Sequence, residues 1–406
     1  MSGTRLALLL AALVALVVTG TAAGRPGSDT ALARRLAGAL ATPNLDAARS
    51  AAVAVDLRTG AVVFARNPEL PLLPASTAKL AVGYAAFALL GPGFRFHTDV
   101  RGRGSLDGTV WRGDLVLRGH GDPTLGTEDL AGLAQQVAGW GITRVTGAVL
   151  GDESWFDGVR TGPGWKSSFY VLESPPLSAL VVERALYRGK TSDNPALAAA
   201  SLFRQALAEA GVKVAKRSGV GRASESSLPL AYDISPPLAG IVAEMETESD
   251  NFVAELLLKE LGALAAGHGT TAAGAGVVRN VLRQAGVPLR GVRIADGSGL
   301  SSDDRLTASA LVALLRAAWD DPELRDAFVA SLALAGVSGT LEDRMREPPA
   351  RGRVRAKTGT TNTASALAGF AGNRYAFAVI QNGSPVASWW ARIVQDRFAA
   401  VLAARQ

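Results

Sequence analysis

The chain has 406 residues, 48% of them hydrophobic and 19% charged, the composition of a folded protein too long for one ordinary core. It has no cysteine, which excludes disulfides, thiolate metal sites and cysteine nucleophiles. Its three histidines, His97, His120 and His268, lie far apart in sequence, and each reads as a surface or loop residue. The formal charge is +6, with no basic run interleaved with aromatics, so no nucleic-acid partner is expected; such a surface would favour anionic wall polymers or a membrane surface.

Residues 1–23 read as an export signal: Arg5, an unbroken apolar run from Leu6 to Val18, then the small residues Thr21-Ala22-Ala23. The alternative is an uncleaved anchor over residues 6–23, just long enough to span a bilayer. Either reading places the rest of the chain outside the cytoplasm, in the cell envelope or beyond it.

A helix is expected over 29–40, then strands over 51–56 and 61–67 joined by a turn at Arg58-Thr59-Gly60. Pro74 precedes an Ala/Leu-rich helix over 76–90, apolar nearly all round and therefore buried. From residue 94 the texture changes: strands over 94–100, 110–117 and 146–150 alternate with helices over 127–139 and 195–210. Long helices resume over 238–246, 252–264 and 271–284, with another at 307–319. A strand at 353–358, a hairpin of 366–371 and 375–381 turning at Gly372-Asn373, and a helix over 389–404 end the chain. The fold class is α/β, of the α+β kind, with a sheet whose strands come from both ends of the chain. Residues 27–93 and 235–406 would form one domain, interrupted by an inserted domain over 94–234.

Three short motifs follow in order: Ser76-Thr77-Ala78-Lys79, Ser249-Asp250-Asn251 and Lys357-Thr358-Gly359. Together they resemble the trio of active-site-serine enzymes that react with penicillin. The chain has seven lysines against thirty-five arginines, yet both cationic motif positions are lysine. Arginine cannot serve as a base, whereas a buried lysine loses its proton readily. At i and i+3 on a helix, Ser76 and Lys79 share a face, so the amine can take the hydroxyl proton. Burial and a second cation at Lys357 would push Lys79 down toward neutrality. The bland alternatives are a helix cap at Ser76 with a surface Lys79, a cap cluster at 249–251, and a strand end at 357–359. Gly359 would let a substrate backbone approach the strand edge.

These residues resemble the D-alanyl-D-alanine carboxypeptidase/D-alanyl-D-alanine-endopeptidase family, low-molecular-mass penicillin-binding proteins with a domain inserted in a serine β-lactamase/transpeptidase-like fold, an antiparallel sheet flanked by helices. The likeness extends to Gly121-Asp122-Pro123-Thr124-Leu125, Gly162-Pro163-Gly164-Trp165, Tyr232 to Leu238, Asp296 to Ser301, and Ser338-Gly339-Thr340-Leu341. It implies peptidoglycan stem peptides as substrates, β-lactams as inhibitors, and no cofactor. Ser76 would be the nucleophile and Lys79 its base. Ser249 would relay the proton to the leaving D-alanine, and Asn251 would hold the substrate amide. Lys357 and Thr358 would bind the terminal carboxylate. The backbone N–H groups of Ser76 and Thr360 would form an oxyanion hole.

Two departures stand out. Ser76 and Ser249 are 173 residues apart, a short interval for the family, which suggests a reduced insertion. Ser302 stands where members that clamp a stem-peptide carboxylate carry arginine, and Asp152 is the candidate partner for a stem-peptide amine. The competing readings are a β-lactamase or esterase on the same fold, and a catalytically idle wall-binding scaffold.

Overall fold

The computed structural model describes residues 30–405 except Glu225. The expected export or anchor segment over residues 1–23 therefore lies outside the described residues. Among the described residues no helix is long and apolar enough to cross a membrane.

In chain order, helix α1 (Thr30–Ala39) leads into the hairpin of β1 (Ser50–Asp56) and β2 (Val62–Arg66). A short 3-10 turn, Ala75–Ala78, carries Ser76 and runs straight into α2 (Lys79–Leu90). Then come β3 (His97–Asp107), β4 (Val110–Gly119), α3 (Thr127–Gly139), β5 (Val149–Asp152), α4 (Pro195–Glu209) and β6 (Leu228–Ile234). Helices α5 (Leu238–Glu248), α6 (Asn251–Ala266), α7 (Thr271–Gln284), α8 (Ala308–Asp320) and α9 (Arg325–Ala330) follow. Strands β7 (Val354–Thr360), β8 (Ala364–Ala371) and β9 (Tyr375–Asn382) precede the last helix, α10 (Ser388–Ala403).

The first sheet has six strands, in the order Ala333–Leu334, β7, β8, β9, β1, β2, with every pairing antiparallel. Strand β1 lies against β9 over seven residues, Ser50 to Asp56 against Gln381 to Tyr375, so the two ends of the chain meet in mid-sheet. Period-two alternation divides the side chains of these strands between two cores. Val53, Val55, Ala366, Ala368, Phe370 and Ile380 pack under α2 and the helices α5 to α8. Ala52, Ala54, Leu367, Phe377 and Val379 meet α1 and α10 on the other face. Each such fully buried Val, Leu, Ile or Phe contributes about 1.5–3 kcal/mol. Helix α2 is buried from Lys79 to Phe87, as its all-round apolar sequence requires.

The helices around the site start where short polar side chains satisfy free N–H groups. Asp250 accepts from the Val253 N–H (3.1 Å), Thr270 from Ala273 (3.1 Å) and Thr307 from Ala310 (3.0 Å).

The second sheet is built wholly from residues between His97 and Ile234, with β4 between β3 and β5 and with β6 beyond β3. It has its own core against α3 and α4, including Trp111, Leu117, Leu133 and Phe203. Strand β3 runs on to Asp107 instead of stopping near Val100, because residues 101–107 pair with Val110 to Val116 through a tight turn at Gly108. A smaller apolar cluster joins this region to α6: Phe156, Leu177, Ala179 and Val181 pack against Phe252, Leu256 and Ala263. The expectation of isolated surface histidines is corrected here. His97 and His120 stack at 3.9 Å between ring centroids, and His120 is buried, because β3 and β4 bring positions 23 apart in sequence together. Burial first, then the neighbouring His97, push His120 down to about 4.

Candidate active site

The turn before α2 sets the position of Ser76. Thr77 holds it closed by donating its hydroxyl to the Pro74 carbonyl at 2.7 Å. Upstream, Asn382 at the end of β9 exchanges two hydrogen bonds with the Leu73 backbone, at 2.8 and 3.0 Å. Ala75 is forced to φ +47°, a strained conformation for a residue with a side chain. Two glycines leave room for this turn. A Cβ on Gly299 would sit 1.9 Å from the Ala75 carbonyl oxygen, and one on Gly359 would sit 2.8 Å from the Pro74 oxygen and 3.1 Å from the Ser76 nitrogen. The missing side chain at 359 thus admits the nucleophile turn itself, where substrate backbone had been expected. That locks β7 against Ser76.

Lys79 is fully buried one turn into the same segment. Its Nζ donates to Ser76 Oγ (3.1 Å), Asn251 Oδ1 (2.8 Å) and the Ser298 carbonyl (2.7 Å), which uses all three of its protons. Burial lowers it to about 8, against the opposing pull of Glu246, Asp296, Glu255 and Asp250. The first and second motifs therefore meet at one nitrogen. The bland reading of Lys79 as a surface residue fails on this burial. Asp250 does cap α6, while Ser249 sits half-buried between α5 and α6 with φ +65°, ending one helix so that the next can begin. Asn251 also donates to the Glu173 carbonyl at 3.0 Å.

Lys357 on β7 is equally buried, but its Nζ finds no hydrogen-bond partner among the described residues. Desolvation lowers it to about 7; Glu246 opposes that, and the like charge of Lys79 adds to it. The two-residue strand Ala333–Leu334 pairs only with Ala356 and Arg355, so the outer edge of β7 from Lys357 to Thr360 carries no neighbouring strand. Thr358 is nearly buried and Thr360 is exposed. A cleft of about 410 Å³ opens here, bounded by Ala75, Ser301, Ser302 and Thr360 on one side and by Gly164 and Glu173 on the other.

Beneath the cleft lies a carboxylate nest to which the sequence reading assigned no role. Glu255 Oε1 accepts from the Gly297 and Ser298 N–H groups, at 2.9 and 2.8 Å. Asp296 accepts from Gly299 N–H (2.7 Å), Ser301 N–H (2.8 Å) and Trp165 Nε1 (2.7 Å). These bonds shape the 296–301 loop so that the Ser298 carbonyl faces Lys79. Burial, then the charge of Asp296, raise Glu255 to about 8. The run Asp296-Gly297-Ser298-Gly299 was visible as a pattern; its partners Glu255 and Trp165 lie too far away in sequence to be found that way.

Asp152 is corrected. It is buried, and its carboxylate accepts from the Ser154 and Ala223 N–H groups at 2.9 and 2.8 Å, so it ties the end of β5 to a neighbouring loop. It is not among the residues that line the cleft, and each of its carboxylate oxygens already accepts a backbone N–H.

Comparison with known proteins bears on the family and the fold. The family described as D-Ala-D-Ala carboxypeptidase 3 (S13) matches residues 32–192 and 187–404. A D-alanyl-D-alanine carboxypeptidase from Actinomadura is 31% identical, over 90% of this chain and 83% of the relative. The carboxypeptidase DacB of Mycolicibacterium smegmatis is 34% identical, over 91% of this chain and 83% of that protein. In structure, penicillin binding protein 4 (dacB) of Haemophilus influenzae superposes with a TM-score of 0.79, at 20% identity, covering 91% of this chain and 97% of that one. The fold is therefore the mixed α/β arrangement of that protein, with an antiparallel sheet flanked by helices. With nearly its whole described length matched, the chain belongs to the D-Ala-D-Ala carboxypeptidase 3 (S13) family.

Proposed function

We propose that this protein is a serine-type D-alanyl-D-alanine carboxypeptidase/endopeptidase that cleaves peptidoglycan stem peptides through an acyl-enzyme on Ser76. The observation that carries the reading is the environment of Lys79: fully buried, held by Asn251 Oδ1 and the Ser298 carbonyl, and 3.1 Å from Ser76 Oγ. In the neutral amine those two acceptors take its two protons, and the lone pair is left facing the serine hydroxyl.

Ser76 Oγ attacks the carbonyl of the penultimate D-alanine as Lys79 takes its proton. The Ser76 and Thr360 N–H groups receive the developing oxyanion, a contribution of about 10²–10³ in rate per donor. The approach of Gly359 to the Ser76 nitrogen supports that pairing. Ser249 passes the proton to the leaving amine, and water then releases the acyl group. An extended peptide would lie along the unpaired edge of β7, its backbone bonding where a further strand would. Because Lys357 is wholly buried, its charge would act from beneath, while the hydroxyls of Thr358 and Thr360 meet the terminal carboxylate. No cofactor enters this chemistry.

We read residues 94–234 as an inserted domain, supported by their separate sheet and core. Residues 27–93 and 235–406 make up the catalytic unit. The substrate lies outside the cytoplasmic membrane, which fits the export or anchor reading of residues 1–23; contact with anionic wall polymers or lipid headgroups would follow from the +6 charge.

A labelled penicillin tests the reading. Wild-type protein should retain a covalent label on Ser76, located by mass spectrometry, and Ser76→Ala should retain none. Rapid loss of label would mean a β-lactamase, and a labelled Ser76→Ala would move the nucleophile elsewhere.

A further inference from the structure

Glu246, on the last turn of α5, has no part in the chemistry above, yet it is the most isolated charge near the site. It is fully buried, and neither carboxylate oxygen has a hydrogen-bond partner among the described residues. Such a group carries a large desolvation cost, and buried acids are ordinarily paired. Its position is specific. Oε1 packs against the bare Cα of Gly83, 3.0 Å from where a Cβ would stand, one helical turn beyond Lys79. A larger residue at 83 would push the carboxylate away from α2. Val242 and Met245 line the rest of that contact and offer no polar atom.

The charges that reach Glu246 are those of Lys357 on β7 and Lys79 on α2. Around the lysines stand Glu248, whose charge reaches Lys357, and Asp250, Glu255 and Asp296, whose charges reach Lys79. Those others are either distant or already committed: Asp250 caps α6 and pairs with Arg184, while Glu255 and Asp296 hold the 296–301 loop. Glu246 alone is engaged with both site lysines and with no N–H or O–H donor.

We propose that Glu246 is a positioning residue for the reaction, a shared buried counter-charge that holds protons in common with Lys79 and Lys357 and so sets the pH range in which Ser76 is acylated. Burial raises Glu246 to about 7 against the opposing pull of Lys357 and Lys79. The three groups thus exchange protons near neutrality, with Lys357 at about 7 and Lys79 at about 8. Acylation needs Lys79 neutral and Lys357 charged. A negative Glu246 favours the charged form of each lysine, so it raises both. With Lys357 at about 7 and Lys79 at about 8, the form with Lys79 neutral and Lys357 charged is most populated between those values, and the charge of Glu246 sets where that window lies.

The inference rests on the acyl-enzyme reading, and one experiment separates their failures. The rate of Ser76 acylation by a penicillin is measured from pH 5 to 10 in wild type, E246Q and E246D. Wild type should show a bell with its maximum between about pH 7 and 8. In E246Q both lysines lose their counter-charge, so both limbs should move toward lower pH by about one unit. E246D keeps the carboxylate and should follow wild type. Should E246Q not fold, E246M places an apolar side chain of similar length in the apolar contact, with the same expected shift. If wild type takes no label on Ser76, the acyl-enzyme reading itself fails. If wild type is labelled and the profile of a folded E246Q or E246M coincides with it, Glu246 is merely structural and the inference is overturned. A shift in E246D as large as that in E246Q would overturn it too.

Discussion

Lys79 and Lys357 are equally buried and lie within reach of each other's charge, yet their surroundings are opposite. Lys79 spends all three protons on Ser76, Asn251 and the Ser298 carbonyl, and Asn251 and Ser298 are themselves held by further bonds to Glu173 and Glu255. Lys357 spends none on a hydrogen bond among the described residues, and the carboxylates that act on it, Glu246 first and then Glu248, do so through charge alone. The first is a finished device whose geometry is fixed before substrate arrives. The second is a reserve of positive potential beneath the open edge of β7, with most to gain when an anion binds above it. In the proposed mechanism the contrast corresponds to chemistry at one lysine and recognition at the other.

The sharpest way to break that contrast is Lys79→Arg. The change keeps the charge but removes a titratable amine, so Ser76 acylation should fall about 10²–10⁴-fold while the melting temperature stays within a few degrees. Acylation near the wild-type rate in stopped-flow measurements would make Lys79 an electrostatic group only. A smaller effect is expected at the other lysine. Lys357→Gln should lower kcat/KM about 10–100-fold on peptides ending in a free D-alanine carboxylate, the range of a charge-assisted contact. On the same peptide ending in an amide it should change little. Equal losses on both substrates would place Lys357 in the chemical step instead. The smallest kinetic effect belongs to Asp152→Asn. Replacing a buried carboxylate oxygen that accepts a backbone N–H should cost about 1–3 kcal/mol of stability, read by thermal or urea unfolding. kcat/KM should stay within about twofold, and a selective loss on stem peptides with a side-chain amine would restore Asp152 to the substrate site.

Much of this was legible in the sequence. Helices α6, α7 and α8 announce themselves because Asp250, Thr270 and Thr307 cap them locally, and the hairpin of β8 and β9 shows its turn at Gly372-Asn373. The three motifs are contiguous, so their residues could be named before their meeting was seen. What stayed hidden depends on contacts between distant positions. Nothing near Glu255 tells that it holds the backbone 42 residues away at Gly297. Asp152 reads as a free acid until Ala223, 71 residues on, donates to it. Gly359 was recognised as a place of close approach, but the neighbour that needs the room could be named only once β7 lay beside Ser76.

The seam between the second sheet and α6 has a consequence for inhibition. Residues of the 94–234 segment touch the supports of the site at several points. Trp165 donates to Asp296, the Glu173 carbonyl accepts from Asn251, and Phe156 and Leu177 lie against Phe252 and Leu256, on the helix that begins with Asn251. Asn251 and the 296–301 loop are the two supports that hold Lys79 against Ser76. A compound wedged into that seam would loosen both supports at once and leave the serine intact but without its base.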